Sequence, residues 1–426
     1  MASDTIFALS SGRPPAAISV IRISGPHATT AGERIAGPLP EARRAAVREL
    51  RDPASGGRLD EALVLRFDAP GSSTGEDVVE FQCHGGRAVV DVVLSALASI
   101  EGLREARPGE FTRRAFEHGR IDLTEAEGLA DLIEAETESQ RKAALLLAEG
   151  GLRKQIAGWQ ASLLSLSARA EQAIDYEEED EPVDPTLPRD CIALERELRD
   201  WLARPRAERL KDGVQIVVAG PPNAGKSSLL NAIAGEERAI VTDIPGTTRD
   251  HIEVPFALGG VPVLLTDTAG LRTARDAVEA IGVARAQALV KTADILLWLG
   301  EPSEAPDHFR LIKVHAKADL PERRSTPPGS VAVSSVTGEG LKGLLDEVNV
   351  QANALLPSEG AVALNRRQAA HLAEAADALG ALARVNDLVL IAEGLRLARA
   401  AFDRLTGRAG VEDLLDALFS RFCLGK

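Results

Sequence analysis

Aromatic residues, cysteines and long apolar runs are all scarce in this chain, and each scarcity excludes something. Aromatics make up 3% of the 426 residues, so the cores must be assembled mainly from Ala, Leu, Val and Ile. Cys83, Cys191 and Cys423 lie far apart with no C-x-x-C spacing, which indicates neither a zinc site nor a disulfide framework. No run approaches the roughly eighteen apolar residues of a membrane helix. The N-terminus also lacks the basic-then-apolar order of a signal peptide. Basic charge is short as well. The formal net charge of −15 argues against a protein that coats nucleic acid non-specifically, although a local basic patch or a partner can still make such contacts. These absences predict a soluble cytoplasmic protein with no membrane contact.

The length is enough for two or three domains, each with its own core. The stretch that organises the rest is Gly220-Pro221-Pro222-Asn223-Ala224-Gly225-Lys226-Ser227, a G-x-x-x-x-G-K-S phosphate-binding loop. Before it, residues 214–219 form an apolar, β-branched run that reads as a buried parallel strand. After it, residues 228–234 have helical spacing. Strand, glycine loop and helix together let backbone N–H groups and a helix N-terminus surround a phosphate. Asn223, Ala224, Gly225, Lys226, Ser227 and Ser228 are therefore the expected nucleotide contacts. Lys226 is suited to the outer phosphates and Ser227 to Mg²⁺.

Two further motifs follow in the order a GTPase requires. Gly246-Thr247-Thr248-Arg249-Asp250 offers a threonine hydroxyl for Mg²⁺ and the γ-phosphate. Residues 263–267 read as a strand ending in Asp267-Thr268-Ala269-Gly270, where Asp267 supports Mg²⁺ and the Gly270 N–H meets the γ-phosphate. Base recognition departs from the usual N-K-x-D: Ala316-Lys317-Ala318-Asp319 keeps Lys317 and Asp319, but alanine stands in place of asparagine. Val333-Ser334-Ser335-Val336 matches the final serine-containing loop loosely. Leu271 occupies the place of the water-orienting glutamine of Ras-like enzymes, so another group must serve, and Arg272, Asp276 and Glu279 follow. Asn223 can either stabilise the loop or help bind a monovalent cation beside the phosphates.

On either side of this block the patterns differ. Residues 1–119 read as mixed α/β, with strands at 17–23, 63–67 and 77–82 and a helix from Ala88 to Ile100. Within it, His84 beside Gly85-Gly86 suits a turn or a ligand contact equally. Arg104, Arg107, Arg113, Arg114 and Arg120 form either a solvated helix face or an anion site. From Asp122 to Leu210 the pattern is helical. A long helix is expected from Ala126 to Leu147, opened by a Thr124-x-x-Glu127 capping box, and another from Leu152 to about Ile174. A third helical stretch, 190–210, is kinked or broken at Pro205. Helical patterning returns after Pro357. The division predicted is 1–119, 120–211, 212–356 and 357–426, with the two helical blocks forming one discontinuous domain around an inserted, Ras-like P-loop G domain.

Taken together, these motifs resemble the MnmE (TrmE) family of tRNA-modification GTPases over essentially the whole chain. The resemblance is carried by Ile21-Arg22-Ile23-Ser24-Gly25, Thr74-Gly75-Glu76-Asp77-Val78, Arg107-Pro108-Gly109-Glu110-Phe111, the phosphate loop, residues 242–250, Asp267-Thr268-Ala269-Gly270-Leu271-Arg272 and the terminal Phe422-Cys423-Leu424-Gly425-Lys426. It implies an α/β multidomain protein with an N-terminal α/β domain for dimerisation and tetrahydrofolate binding, a helical domain and an inserted G domain. It implies a K⁺-dependent GTPase that, with the flavoprotein MnmG, uses a one-carbon unit of 5-formyl- or methylene-tetrahydrofolate to place an aminomethyl-type group on the 5-carbon of the wobble uridine in certain tRNAs. Folate contacts carried over by position are Arg22, Glu80, Arg120 (usually lysine in the family) and Lys426. K⁺ falls to Asn223 with Thr242, Ile244 and Thr247, and Mg²⁺ to Ser227, Thr248 and Asp267. Glu279 orients water, and Cys423 belongs to tRNA modification. The alternative is a ribosome-assembly GTPase of the Era or Der kind, which needs neither residues 1–119 nor the Cys423 tail. If Glu279 acts on water alone, Glu279→Ala abolishes GTP turnover while titration with GTP shows nearly unchanged affinity.

Overall fold

The structure is a computed structural model that describes residues 4–175, 186–236, 253–267, 287–385, 387–409, 412–422 and 425. By contact it divides into two compact units. One comprises residues 1–130, 152–157 and 402–426, and the other 131–151 and 158–401.

The first unit is built on strands β1 (Thr5–Leu9), β2 (Ile18–Ser24), β3 (Ala46–Arg51), β4 (Arg58–Phe67), β5 (Val78–His84) and β6 (Leu103–Glu105). They form a six-stranded sheet in the order β3-β4-β5-β2-β1-β6, antiparallel except for β1 with β6. Alternation gives the two faces different characters. Ile21, Ile23, Val79, Phe81 and Val64 enter one core with Ile35 and Val93 of the helices Ala28–Ala36 and Arg87–Ala98. The opposite face carries Arg22 paired with Glu80 and Leu65 in one row, and Val20, Gln82, Leu63 and Val47 in the next. Val47 and Ile18 on that face are 59% and 58% exposed. An antiparallel sheet with one open, partly apolar face has surface left to cover. Helix Glu412–Phe419 joins the same unit, where Leu415, Leu418, Phe419 and Phe422 pack with Leu123 and Ala126.

Within the arginine run, Arg107 and Arg120 are exposed, whereas Arg114 has an outcome neither sequence expectation allowed for. Arg114 is 6% exposed and is neither on a solvated face nor open to an external anion. Its guanidinium donates to both Glu76 oxygens at 3.0 and 3.1 Å, to Asp4 Oδ1 at 2.9 Å and to Glu110 Oε1 at 3.3 Å. Arg104 donates to Glu110 Oε2 at 2.8 Å and also pairs with Asp4. Glu76 in turn accepts from Ser24 Oγ at 2.8 Å, so the network ties the 74–77 turn to β2 and to helix Glu110–Glu117.

The second unit contains β7 (Val214–Ala219), β8 (Glu253–Leu258), β9 (Val261–Asp267), β10 (Ile295–Trp298), β11 (Leu311–Ala316) and β12 (Ser330–Val333). The sheet order is β12-β11-β10-β7-β9-β8, parallel throughout except for the β8–β9 hairpin. Near-continuous burial of β7, β9 and β10 fits strands covered on both faces. In the same unit, helix Leu187–Leu202 packs against helix Arg366–Gly380, so segments before and after the sheet share one helical layer. Trp159 and Trp201 meet edge-on at 5.3 Å, and Trp159 Nε1 donates to Glu197 at 2.8 Å.

The expected helix 126–147 is instead two helices, Leu123–Glu134 and Glu138–Ala148. A capping box at Thr137 and Gln140 restarts the backbone bonding there. At the first start Asp122 is the cap rather than Thr124: Asp122 Oδ1 accepts from Glu125 N–H at 2.9 Å, and Glu125 Oε2 accepts from Asp122 N–H at 2.8 Å. Past Leu202 the chain makes only the short turn Glu208–Lys211, so the 190–210 stretch is broken.

Removing one member of a buried ion-pair set strands the others, so Arg114→Leu is expected to cost this unit about 3–5 kcal/mol in urea unfolding. Asp4, hydrogen-bonded by Arg104, is held below its ordinary value. Burial works against ionisation of Glu110, but hydrogen bonds from Arg104 and the Arg107 amide outweigh it and its value is also lowered. Lowered carboxyls stabilise the fold above their unfolded values. This contribution is therefore lost as pH falls from the ordinary Glu value of 4.5 through the depressed folded values, and the midpoint should drop with it.

Candidate functional site

The nucleotide site is assembled where parallel strands end. β7 delivers the chain into residues 220–225, and helix Lys226–Glu236 leads away, burying Leu229, Leu230 and Ile233 in the sheet core. Gly220 (φ 149°) and Gly225 (φ 97°) take backbone angles unfavourable for side-chain-bearing residues, which lets the loop curl on itself. Lys226 is buried, and its Nζ donates to the carbonyls of Gly220 and Pro221 at 3.1 and 2.8 Å, straddling the loop. Ser227 and Ser228 sit exposed in the first helical turn, and Ala224 packs against the core.

β9 runs parallel to β7, with Val218 beside Asp267. That register brings Ser227 Oγ within 2.6 Å of Asp267 Oδ2. A hydroxyl and a carboxylate side by side, Asp267 being 1% exposed, form an all-oxygen donor pair suited to a hard divalent cation. The residues present therefore fit Mg²⁺.

The loop of Lys317 and Asp319, expected to read the base, follows β11. Lys317 and Asn223 are both non-glycine residues with φ 61°, and Lys317 Nζ donates to the Asn223 carbonyl at 2.8 Å. Ala316 Cβ lies 3.9 Å from where a Cβ on Gly225 would be, so the alanine that stands in place of asparagine sits at this junction. Lys317 spans the two loops there. Asp319 is oriented by the loosely matching serine loop: fully buried Ser334 donates to Asp319 Oδ1 at 2.6 Å and accepts from the Val336 and Thr337 N–H groups at 3.3 and 3.2 Å. The signal was present as a serine following a short strand, but its depth is a tertiary property.

In the other unit, Arg22 and Glu80, expected as separate ligand contacts, lie opposite each other on β2 and β5 and are ion-paired at 2.8 Å. Arg22 also stacks over Phe111 at 5.6 Å, a neighbour sequence reasoning missed. Phe111 belongs to helix Glu110–Glu117 and is buried, so its ring backs the guanidinium, while Arg22 and Glu80 together offer donors and acceptors to a ligand bearing both. Arg120 donates its backbone N–H to Ala115 and lies beside Gly75. His84 is exposed, its ring held by Asp60 at 2.8 Å. Burial pushes the Cys83 and Cys191 thiols up to about 12 and about 11, so neither is a thiolate nucleophile. Thr242, Ile244, Thr247, Thr248, Gly270, Glu279, Cys423 and Lys426 lie outside the described residues.

Comparison with known proteins agrees over the full length. Residues 123–423 match the MnmE helical domain family, and residues 5–120 match the family described as GTP-binding protein TrmE N-terminus. The tRNA modification GTPase MnmE of Erythrobacter litoralis is 52% identical over 99% of this chain and 100% of its own. That of Rhizorhabdus wittichii is 54% identical over 100% and 97%. Among solved structures, the G domain of the T. maritima FeoB iron transporter is 28% identical over 33% of this chain and 98% of its own, with a TM-score of 0.25, too low to argue from.

Ser334→Ala removes the donor to the Asp319 carboxylate and the acceptor of the Val336 and Thr337 N–H groups, and a hydrogen bond to a charged group is worth about 1.5–3 kcal/mol. Fluorescent-GDP titration should show affinity reduced roughly tenfold or more.

Proposed function

The chain belongs to the MnmE family of tRNA-modification GTPases, and we propose that it couples K⁺-dependent GTP hydrolysis to folate-dependent modification of the wobble uridine in tRNA. It binds GTP and GDP and hydrolyses GTP. The observation that carries the site assignment is the Ser227–Asp267 contact at the ends of two paired strands, beside buried Lys226. Mg²⁺ would be held by Ser227 and Asp267 with Thr248, and K⁺ by Asn223 with the backbone oxygens of Thr242, Ile244 and Thr247. Bound there, the two cations supply charge neutralisation for the transferring phosphoryl group. Lys226 positions the outer phosphates, the Gly270 N–H meets the γ-phosphate, and Glu279 orients the attacking water. Lys317 and Asp319 read the base, Asp319 accepting hydrogen bonds from guanine's N–H edge through the oxygen that Ser334 leaves available.

Arg22, Glu80 and Arg120, with Lys426, would hold 5-formyl- or methylene-tetrahydrofolate, while Cys423 serves the tRNA chemistry. Two facts support this placement. Arg22 and Glu80 share one sheet face, and Gly425 lies so close to the end of β1 that a Cβ there would come within 2.0 Å of the Leu9 carbonyl. The open face bearing Val47, Leu63 and Leu65 supports a homodimer, since a second copy would bury it. MnmG is the second protein partner, and the assembly works in the cytoplasm. No helix among the described residues is long and apolar enough to cross a membrane. The domains proposed are 1–119, 120–211, 212–356 and 357–426.

Two measurements test this. GTP turnover by the purified protein should be several times faster in K⁺ than in Na⁺, and equal rates would remove the role given to Asn223. Nucleoside analysis of tRNA from cells lacking the protein should show wobble uridines without the 5-substituent, and restored modification by a Cys423→Ala variant would remove Cys423 from the chemistry.

A further inference from the structure

Helix Glu138–Ala148 begins against the two strands that carry the nucleotide site, at the ends remote from it. β9 holds Asp267 at one end, and its other end enters the Gly259-Gly260 turn. Both glycines have positive φ, 56° and 86°, as a two-residue hairpin turn requires. The Gly260 carbonyl accepts a hydrogen bond from Ser139 N–H at 3.2 Å. That N–H belongs to the helix's first turn and has no partner within the helix. One residue along, Gln140 Nε2 donates to the Leu210 carbonyl at 2.9 Å, just ahead of β7, whose far end opens into the phosphate loop. Thr137 and Gln140 lock this helix start through their reciprocal capping bonds. A single helix end thus reads the remote ends of β7 and β9 together.

We propose that this helix start transmits the nucleotide state to the helical segment, with the Ser139–Gly260 hydrogen bond as the contact that changes between the GTP and GDP forms. The proposal rests on Asp267 serving the nucleotide's metal. β9 is seven residues long, so at about 3.3 Å per residue it spans roughly 20 Å from that carboxylate to the turn. β8 pairs with β9 alone at the sheet edge, so the hairpin is anchored on one side only. The turn also has room to shift. A cavity of about 260 Å³ adjoins it, lined by Glu138, Ser139, Lys142, Gly259, Gly260 and Asn353 among others. On its other side Gly259 abuts Asn349 so closely that a Cβ would come within 2.7 Å of the amide nitrogen, which limits the direction of movement. The contact at the turn is a single polar bond, which can be made and broken at small cost, while Ala143, further along the helix, stays packed against the sheet core.

The test compares amide hydrogen exchange over residues 137–148 of the full-length protein bound to GDP and to a non-hydrolysable GTP analogue. Exchange at the helix start should differ by about fivefold or more, the lower end of ordinary site-to-site couplings. Ser139→Pro removes the donor where proline is tolerated in a helix's first turn, and should erase the difference while GTP turnover stays within about twofold of the unaltered protein. Ser139→Ala keeps the N–H and should retain the difference. Equal exchange in both nucleotide states of the unaltered protein, or a difference that persists in Ser139→Pro, overturns the proposal. Nucleotide occupancy is measured in the same samples. Failure of the unaltered protein to bind either nucleotide would overturn the site reading on which the proposal rests, whereas bound nucleotide without an exchange difference overturns the coupling alone.

Discussion

Everything in the nucleotide-binding unit depends on the parallel pairing of β7 with β9. The pairing places Val218 beside Asp267 and so puts the first helical turn after the phosphate loop next to the carboxylate that ends β9. Neither Ser227 nor Asp267 alone is more than a polar side chain. Side by side at 2.6 Å, they form a donor pair for a divalent cation at the N-terminus of a helix, where backbone N–H groups also favour anions. The register is held by apolar residues on both sheet faces, Ile216, Val218, Val263 and Leu265 on one and Val217, Ala219 and Leu296 on the other. A slip of one position would turn every one of those side chains to the opposite face. Core packing therefore sets the geometry of the site.

The N-terminal unit solves a different problem with different means. Its sheet buries one face under two helices and leaves much of the other open. Charged groups are drawn inside around Arg114, which satisfies Glu76, Asp4 and Glu110 at once. Such a set contributes less net stability than apolar packing of the same volume, but it fixes geometry. Here it anchors the 74–77 turn beside Arg120 and His118, next to the sheet face that carries Arg22 and Glu80. Side chains on strands braced by a buried network are positioned more rigidly than those on free loops.

Where a sequence pattern is periodic and long, it was readable. Strands at 214–219 and 263–267 and helices near 88–98, 151–175 and 388–406 follow apolar spacing. Short or polar strands such as Leu103–Glu105 and Ala46–Arg51 were not, because three or six residues of mixed polarity carry little period-two signal and owe their conformation to ladder partners. The break at 135–137 carries no such signal either. Alanine-, glutamate- and leucine-rich composition continues through it, and only the side-chain capping at Thr137 ends one helix and starts the next.

Residue type and spacing by themselves determined the chemistry available: a lysine and serine after a glycine loop, an aspartate ending a strand, a lysine and aspartate two residues apart, and the motifs that mark the family. Those are local facts, set by what a phosphate, a cation or a base edge requires of its nearest neighbours. Tertiary structure decided which distant residues support them. Ser334 lies under Asp319, Lys317 crosses to Asn223 where an asparagine is missing, Arg114 is buried among carboxylates, and Ser139 meets the turn of the β8–β9 hairpin. The physical reason is burial. Whether a polar group is solvated or must find a partner depends on the surface packed over it, and that surface comes from elsewhere in the chain.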